Sequence, residues 1–433
     1  MNVGHSAFVT APRAVKRSAR SSSQLLQLIG GILVSAVLPF LIFFQARSQD
    51  YQAFVGFYYV LWGTMAAVVV GHYFYARLVY FPGARATSYI APTFCASFAV
   101  LLAAFFFLRI DYGRIHFALS WALCLAWYYG CHFVSVRTTR PRRLGVVPVG
   151  AAPNLQGLPY VEWVTLDEAG MHLPGCDGII ADFRADLPDA WERLIAETAI
   201  SGVPVYHFKQ IQESLTGRVE IEHLSENNFG SLIPGAAYIA IKQAIDTVAA
   251  LVLGAILLPA LLLVAIAVKL TSRGPILFRQ KRMGYRGRIF TIYKFRTMHD
   301  ATRQAESRDS TITRDADDRV TSIGRFLRRT RIDELPQIIN ILRGEMSWIG
   351  PRPEAVPLSE WYEAEIPFYR YRHIVRPGIT GWAQVNQGHV SEIEDVLAKL
   401  QFDFYYVRYF SPWLDVLIVL RTGRTVLTGF GSK

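Results

Sequence analysis

The sequence contains no C-x-x-C pair and no G-x-G-x-x-G fingerprint, and its last third has no low-complexity tract and no internal repeat. Its four cysteines, Cys95, Cys124, Cys131 and Cys176, are scattered, three of them in apolar runs. This spacing indicates neither a zinc site nor a disulfide framework. Charge is also sparse: Asp, Glu, Lys and Arg make up 18% of the 433 residues, against 52% hydrophobic and 13% aromatic. That balance leans towards a membrane protein. The formal net charge of +11 reads as Lys- and Arg-rich cytoplasmic loops beside anionic lipid, with no nucleic-acid partner.

Asp, Glu, Lys and Arg are missing altogether from residues 25–44, 54–74, 89–108 and 115–136. Each run is close to the roughly 20 residues a spanning helix needs. A charge at a span centre costs about 2.5 kcal/mol or more, so their absence predicts four transmembrane helices over residues 24–137, an N-terminal four-helix bundle. Residues 1–23 carry Arg13, Lys16, Arg17 and Arg20 ahead of the first run, but no small-residue cleavage site follows. They read as a retained cytoplasmic arm. The arm, the loop with Arg77 and Arg85, and the exit with Arg137, Arg140, Arg142 and Arg143 alternate with loops holding only Arg47, Arg109 and Arg114. Positive-inside counting puts both ends of the bundle in the cytoplasm.

Residues 144–231 read as a soluble insert. "RRLGVVPVG", "CDGIIADF" and "VPVYHF" are strand-like, and "DAWERLIAETAISG" is a helix stopped by glycine. The alternation predicts a small α/β, Rossmann-like domain with a parallel sheet. Without a glycine fingerprint it is expected to be regulatory or structural rather than a working dinucleotide site. Residues 240–270 are apolar and long enough to cross a bilayer, but Pro259 stands at their centre. Either they form a fifth spanning helix, or proline bends them into a hairpin that enters and leaves on one side.

The remainder, residues 271–433, is polar, basic and dense in Gly, Pro and aromatics. Within it "RRTRIDELPQIINILRG" places Asp333 and Glu334 between Arg328, Arg329 and Arg331 and an apolar helix ending at Gly344. Proline is tolerated in a first helical turn, so Asp333 is expected at the N-cap and Glu334 at the first helical position. The helix end and the arginines then lower the Asp333 pKa and favour phosphates. By itself this is also what a capping aspartate on a solvated face looks like. The surroundings add phosphate-binding groups, with Arg279, Lys281, Lys294, Arg296, Arg319, Arg352 and Arg376 each beside Gly, Pro or aromatic residues.

The phrases "KFRTM", "DRVTSIGRFLRRTRIDELPQIINILRGEMSWIGPRPE", "RHIVRPGITGWAQVN" and "FDFYYVRYFSPWLDVLIVLRT" resemble the bacterial sugar transferase family, the polyprenyl-phosphate phosphoglycosyl transferases with a monotopic catalytic domain. The whole layout resembles the long form that primes exopolysaccharide or O-antigen synthesis. The resemblance implies a mostly helical α+β catalytic domain on the cytoplasmic face of the bacterial inner membrane, and a re-entrant hairpin bent at Pro259. It implies transfer of a sugar 1-phosphate from a UDP-sugar to undecaprenyl phosphate, with release of UMP. Asp333 matches the family's nucleophile, which forms a covalent phosphosugar intermediate, and Glu334 the partner that helps hold Mg²⁺. Arg328 and Arg352 match arginines suited to the diphosphate. Lys294, Arg296 and Arg319 are further candidates for phosphate contacts, and Arg376 and Gln384 for polar contacts to the nucleotide. Downstream glycosyltransferases are the implied pathway partners, and a large apolar bundle is compatible with a homo-oligomer.

Two other readings compete. Asp315-Ala-Asp317 could hold a metal–nucleotide complex in a glycosyltransferase that releases UDP. A non-catalytic membrane scaffold of a polysaccharide export complex is the second. Neither His373 nor His389 has metal-ligand spacing.

Overall fold

The computed structural model describes residues 24–47, 51–78, 86–138, 142–158, 161–167, 175–220, 236–271, 273–299, 319–387 and 393–428. The N-terminal arm, Asp315, Asp317 and His389 lie outside these residues. The chain forms two compact units, divided between Thr216 and Gly217.

In the first unit all four charge-free runs are helical: α1 (Gln24–Gln45), α2 (Tyr51–Leu78), α3 (Ala86–Phe107) and α4 (Arg114–Thr138). Ala67, Val68, Ile90, Phe94, Phe98, Cys124 and Tyr128 make their shared core, with Leu28 and Ile32 of α1 packed against it. The outer faces keep large apolar side chains exposed, among them Trp62, Phe106 and Phe107. Helices apolar on every side suit lipid better than water.

After α4 comes a sheet of four parallel strands in the order β2-β1-β3-β4: β1 (Arg142–Val146), β2 (Val161–Thr165), β3 (Gly178–Ala181) and β4 (Val205–His207). β3 is buried at every position, as expected of an inner strand covered on both faces. The expected helix is α5 (Asp189–Ile200), with Asp189 and Glu192 in its first turn, where carboxylates favour the helix dipole. β2, an edge strand of sequence VEWVT, and α6 (Phe208–Thr216) have no counterpart in the sequence reading.

The second unit contains α7 (Ala236–Thr271), among the described residues the fifth helix long and apolar enough to cross a membrane. The family resemblance implies a bend at Pro259. The structure keeps the residues on both sides of Pro259 in one helix, without an intervening loop. One face of α7 packs on the unit along most of its length. Trp348 Nε1 donates to the Asp246 carbonyl at 3.1 Å, Ala250 joins Ile338 and Ile341, and Leu261, Val264, Ala265 and Val268 meet Phe295 and Leu327. The opposite face leaves Ile256, Leu263 and Leu270 exposed.

On α7 lies an antiparallel hairpin of β5 (Leu277–Met283) and β6 (Ile289–Phe295). It is followed by α8 (Ser322–Thr330), a 3-10 turn (Ile332–Gln337) that runs into α9 (Ile338–Leu342), and β7 (Ser347–Ile349). Next come α10 (Val356–Glu365), β8 (Gly378–Thr380) parallel to β7, α11 (Trp382–Asn386), α12 (Ile393–Arg408) and α13 (Pro412–Thr428). β7 and β8 meet at two glycines. A Cβ on Gly378 would lie 2.1 Å from the Gly350 nitrogen, and one on Gly350 would lie 2.3 Å from the Arg376 carbonyl oxygen. Only glycine permits that approach.

Candidate active site

Helix α8 delivers the chain to the acidic pair. Thr321 caps it, accepting from the Gly324 N–H at 2.9 Å, and Leu327 anchors its inner face. Its end is an abrupt reversal at Arg331, which adopts left-handed φ/ψ of 60° and 13°. A non-glycine residue held there costs about 1 kcal/mol or more. The 3-10 turn that follows is held by the Glu334 N–H on the Arg331 carbonyl at 3.2 Å, and it buries Asp333, Glu334, Pro336 and Gln337.

This corrects the sequence reading in two respects. Asp333 is not the N-cap: that position belongs to Arg331, and Asp333 sits inside the first turn. Nor is its pKa lowered. Burial raises the Asp333 carboxyl above the usual carboxylate range, and the Glu334 charge adds to the rise, against the opposing pull of Lys294, Arg352 and Arg328. The expectation assumed an exposed helix end, whereas the turn is folded into the unit.

Glu334 has the opposite environment. Its Oε1 lies 2.7 Å from Lys294 Nζ and 2.7 Å from Arg352 Nη2, and its Oε2 lies 3.5 Å from Arg352 Nη1 and 3.9 Å from Arg331 Nη1. Burial works to raise its carboxyl, but Arg352 and Lys294 overcome this and hold it well below the usual range. Strand alternation explains Lys294: it shares the inward face of β6 with buried Phe290 and Ile292. Among the described residues Asp333 Oδ1 is buried and has no hydrogen-bond partner. Glu334 is thus held firmly at Oε1 and loosely at Oε2, and its neighbour keeps an oxygen unengaged, inside a shell of cations.

The other candidates divide. Arg328 joins the site, its Nε donating to Thr297 Oγ1 at 2.9 Å while its charge acts on Asp333. Arg296 is buried and donates to the carbonyls of Pro275 and Val268, tying the end of α7 to the hairpin. Arg376 donates to the Gly344 carbonyl and to Gln243 Oε1, both at 3.0 Å, and covers the Tyr285 ring. Gly344 closes α9, at the far end of the segment from Asp333. Gln384 Nε2 donates to Ile379 at 2.9 Å, and Arg319 lies exposed in a turn whose carbonyl accepts from His299. Neither makes a contact with the acidic pair among the described residues.

Sequence reading missed Asn340 and a buried group behind Arg352. Asn340 Oδ1 accepts from the Tyr293 N–H at 3.2 Å, and its Nδ2 donates to the Thr291 carbonyl at 2.7 Å, which fixes α9 against the strand that carries Lys294. A polar residue within the apolar stretch IINIL was the available signal. The second group comprises Arg282, Glu354, Arg372, Lys399 and Asp403, which no local motif connects.

Comparison with known proteins bears on the same region. A family model described as "Bacterial sugar transferase" matches residues 237–429. A protein of Aeromonas hydrophila named UDP-N-acetylgalactosamine-undecaprenyl-phosphate N-acetylgalactosaminephosphotransferase is 44% identical over 358 residues, covering 82% of this chain and 84% of its own. A UDP-glucose:undecaprenyl-phosphate glucose-1-phosphate transferase of Caulobacter vibrioides is 45% identical over 201 residues, 46% of this chain and 74% of its own. One of the same name from Escherichia coli K12 is 44% identical over 197 residues, 45% of this chain and 41% of its own.

Proposed function

The chain belongs to the bacterial sugar transferase family, and from that premise we propose that it moves a sugar 1-phosphate from a UDP-sugar to undecaprenyl phosphate. The products are undecaprenyl-diphosphate-sugar and UMP, and the step primes an exopolysaccharide, capsule or O-antigen. Both substrates are named in its relatives. The observation that carries the reading is the asymmetry of the acidic pair: an Asp333 oxygen without a partner, beside a Glu334 held by Lys294 and Arg352.

In the mechanism we infer, Asp333 attacks the sugar-bearing phosphorus. The new Asp–O–P bond forms as the phosphoanhydride bond breaks, and UMP leaves with the electron pair. A phosphate oxygen of undecaprenyl phosphate then displaces Asp333, restoring the carboxylate. Two anions meet in the first step, and the cations around them offset the repulsion. The raised pKa of Asp333 makes its anion more basic and so a better nucleophile, and Lys294, Arg352 and Arg328 keep the anionic form accessible.

The donors at hand also suit Mg²⁺, which takes one or two carboxylates and completes its shell with substrate phosphates and water. Glu334, with the unpartnered Asp333 oxygen beside it, would hold the ion, and no cluster of three or more ligating side chains exists among the described residues. Bound there, Mg²⁺ would neutralise charge on the diphosphate.

We place the protein in the bacterial inner membrane with the second unit on the cytoplasmic face. Packing of α7 on that unit from Asp246 to Val268 supports a helix that stays at one surface, as a re-entrant segment bent at Pro259 does, rather than one that carries the chain across. The first unit is read as four spanning helices and a Rossmann-like module with a structural or regulatory role.

Full-length protein in membranes, supplied with undecaprenyl phosphate, Mg²⁺ and a panel of UDP-sugars, tests the reading. UMP is the expected nucleotide product, and UDP would instead support sugar transfer at Asp315 and Asp317. Asp333→Asn is expected to lower UMP release at least about a thousandfold, as removal of a covalent nucleophile does. With acceptor omitted, label in the sugar-bearing phosphate should remain on the wild-type protein and not on the variant. Retained turnover in Asp333→Asn would exclude it as the nucleophile.

A further inference from the structure

Arg352 reaches Glu334 from the segment Pro351-Arg352-Pro353-Glu354, and each of that segment's four carbonyls accepts a hydrogen bond, one from β8, one from Arg372 and two from the end of β5. Pro351 accepts from the Gly378 N–H at 2.9 Å, and Arg352 from Arg372 Nη2 at 2.9 Å. Pro353 accepts from Arg282 Nη1 at 3.0 Å, and Glu354 from the Met283 N–H at 2.9 Å. The Glu354 side chain is fixed too, 2.5 Å from Lys399 Nζ and 4.0 Å from Arg282 Nη1.

Arg372 and Asp403 form the deepest part of this group. Each is 2% exposed, and Arg372 Nη2, the atom that donates to Arg352, lies 2.7 Å from Asp403 Oδ2. Arg372 Nη1 donates to Tyr369 Oη at 2.6 Å. Taking both charges out of water costs several kcal/mol per ion, and apolar side chains of similar volume often stabilise a fold as well or better. Stability therefore does not account for a pair placed here, but its aim does: the guanidinium sits on the backbone of the arginine that holds Glu334.

We propose that Arg372, fixed by Asp403 and assisted by Arg282, is a positioning residue that sets Arg352 against Glu334 for phosphoryl transfer. The proposal rests on the functional reading above. Arg372 touches neither carboxylate of the acidic pair and acts through the Arg352 backbone. Lysine at 372 keeps the charge but lacks the fork that serves Asp403, Tyr369 and the Arg352 carbonyl together.

The test is a double-mutant cycle on full-length protein, scored by UMP release. Arg372→Lys is expected to lower kcat at least tenfold in the wild-type background and less than twofold when Arg352 is already lysine. A residue that only supports the fold would cost the same factor in both backgrounds, and that result would overturn the proposal. Arg282→Lys, which removes the bond to Pro353, provides a second cycle with the same expectation if Arg372→Lys does not fold. Hydrogen exchange gives a readout independent of turnover: in either variant, peptides covering residues 350–358 should exchange faster while those covering α12 stay protected. If the wild-type protein released no UMP, the functional reading would fail by itself. Unchanged exchange at 350–358 in both variants would then overturn the positioning claim separately.

Discussion

Asp333 and Glu334 are adjacent, chemically alike and both buried, yet their carboxyls shift in opposite directions because cations reach one more closely than the other. Opposed shifts in neighbouring carboxyls are the usual mark of divided roles. Lys294 is the cation that most strongly opposes the rise at Asp333 and also a direct partner of Glu334. Lys294→Met should therefore lower kcat by about a hundredfold or more, measured by UMP release, and also lower the thermal midpoint, because it leaves the buried Glu334 with one direct cation fewer. His373, which has no metal-ligand spacing, provides a stability prediction. Burial, reinforced by Arg372 and Arg370, pushes its pKa down to about 3. An unfolded histidine takes up a proton near pH 6.5, so stability present above that pH is lost as pH falls towards 3. At pH 5 the loss is about 2 kcal/mol relative to pH 7. His373→Gln should show a smaller drop in midpoint between pH 7 and pH 5 than wild type. An equal drop would remove the histidine from the account.

At the scale of elements, the glycine crossing of β7 and β8 sets where Arg352 starts. Gly350→Ala puts a methyl group against the Arg376 carbonyl, so the strands must part, at a cost of roughly 1–3 kcal/mol. Because Arg352 is two residues away, UMP release should fall as well. Gly423→Ala, where an added Cβ meets nothing within 4 Å, should leave melting and turnover close to wild type. The same elements show what could be read from the sequence. Charge-free runs identify the apolar helices because lipid penalises each charge heavily, and the expected strands and helix of the α/β module appear as β1, β3, β4 and α5. β2 escaped because its five residues, VEWVT, keep no strict alternation, with Trp163 and Val164 apolar in succession. The stretch IDELPQ was legible as a helix start, but its 3-10 form was not. That form depends on the reversal at Arg331, which no residue preference announces. The acidic pair and Lys294, Arg328 and Arg352 were legible as residues. Asn340 and Arg372 bond to distant backbone, and Asp403 pairs with the Arg372 side chain, contacts that local pattern does not encode.

At the scale of the whole molecule, every residue assigned here to chemistry or positioning lies in the second unit. Residues 217–433 expressed alone should remain with membranes after a high-salt wash, held by α7, and release UMP within roughly tenfold of the full chain, as a unit with its own core can. Loss of all turnover from a folded, membrane-bound fragment would assign part of the reaction to the first unit. The two-faced packing of α7 has one more consequence. With one side on the second unit and Ile256, Leu263 and Leu270 open on the other, the reacting groups of the proposed mechanism would ride at a fixed height over the bilayer. The two proposed substrates would then arrive in spaces of different dimension: the nucleotide sugar through a volume, the polyprenyl phosphate across a surface. Turnover should follow the mole fraction of acceptor in the bilayer, so that inert lipid slows the enzyme and added buffer, at constant donor concentration, does not.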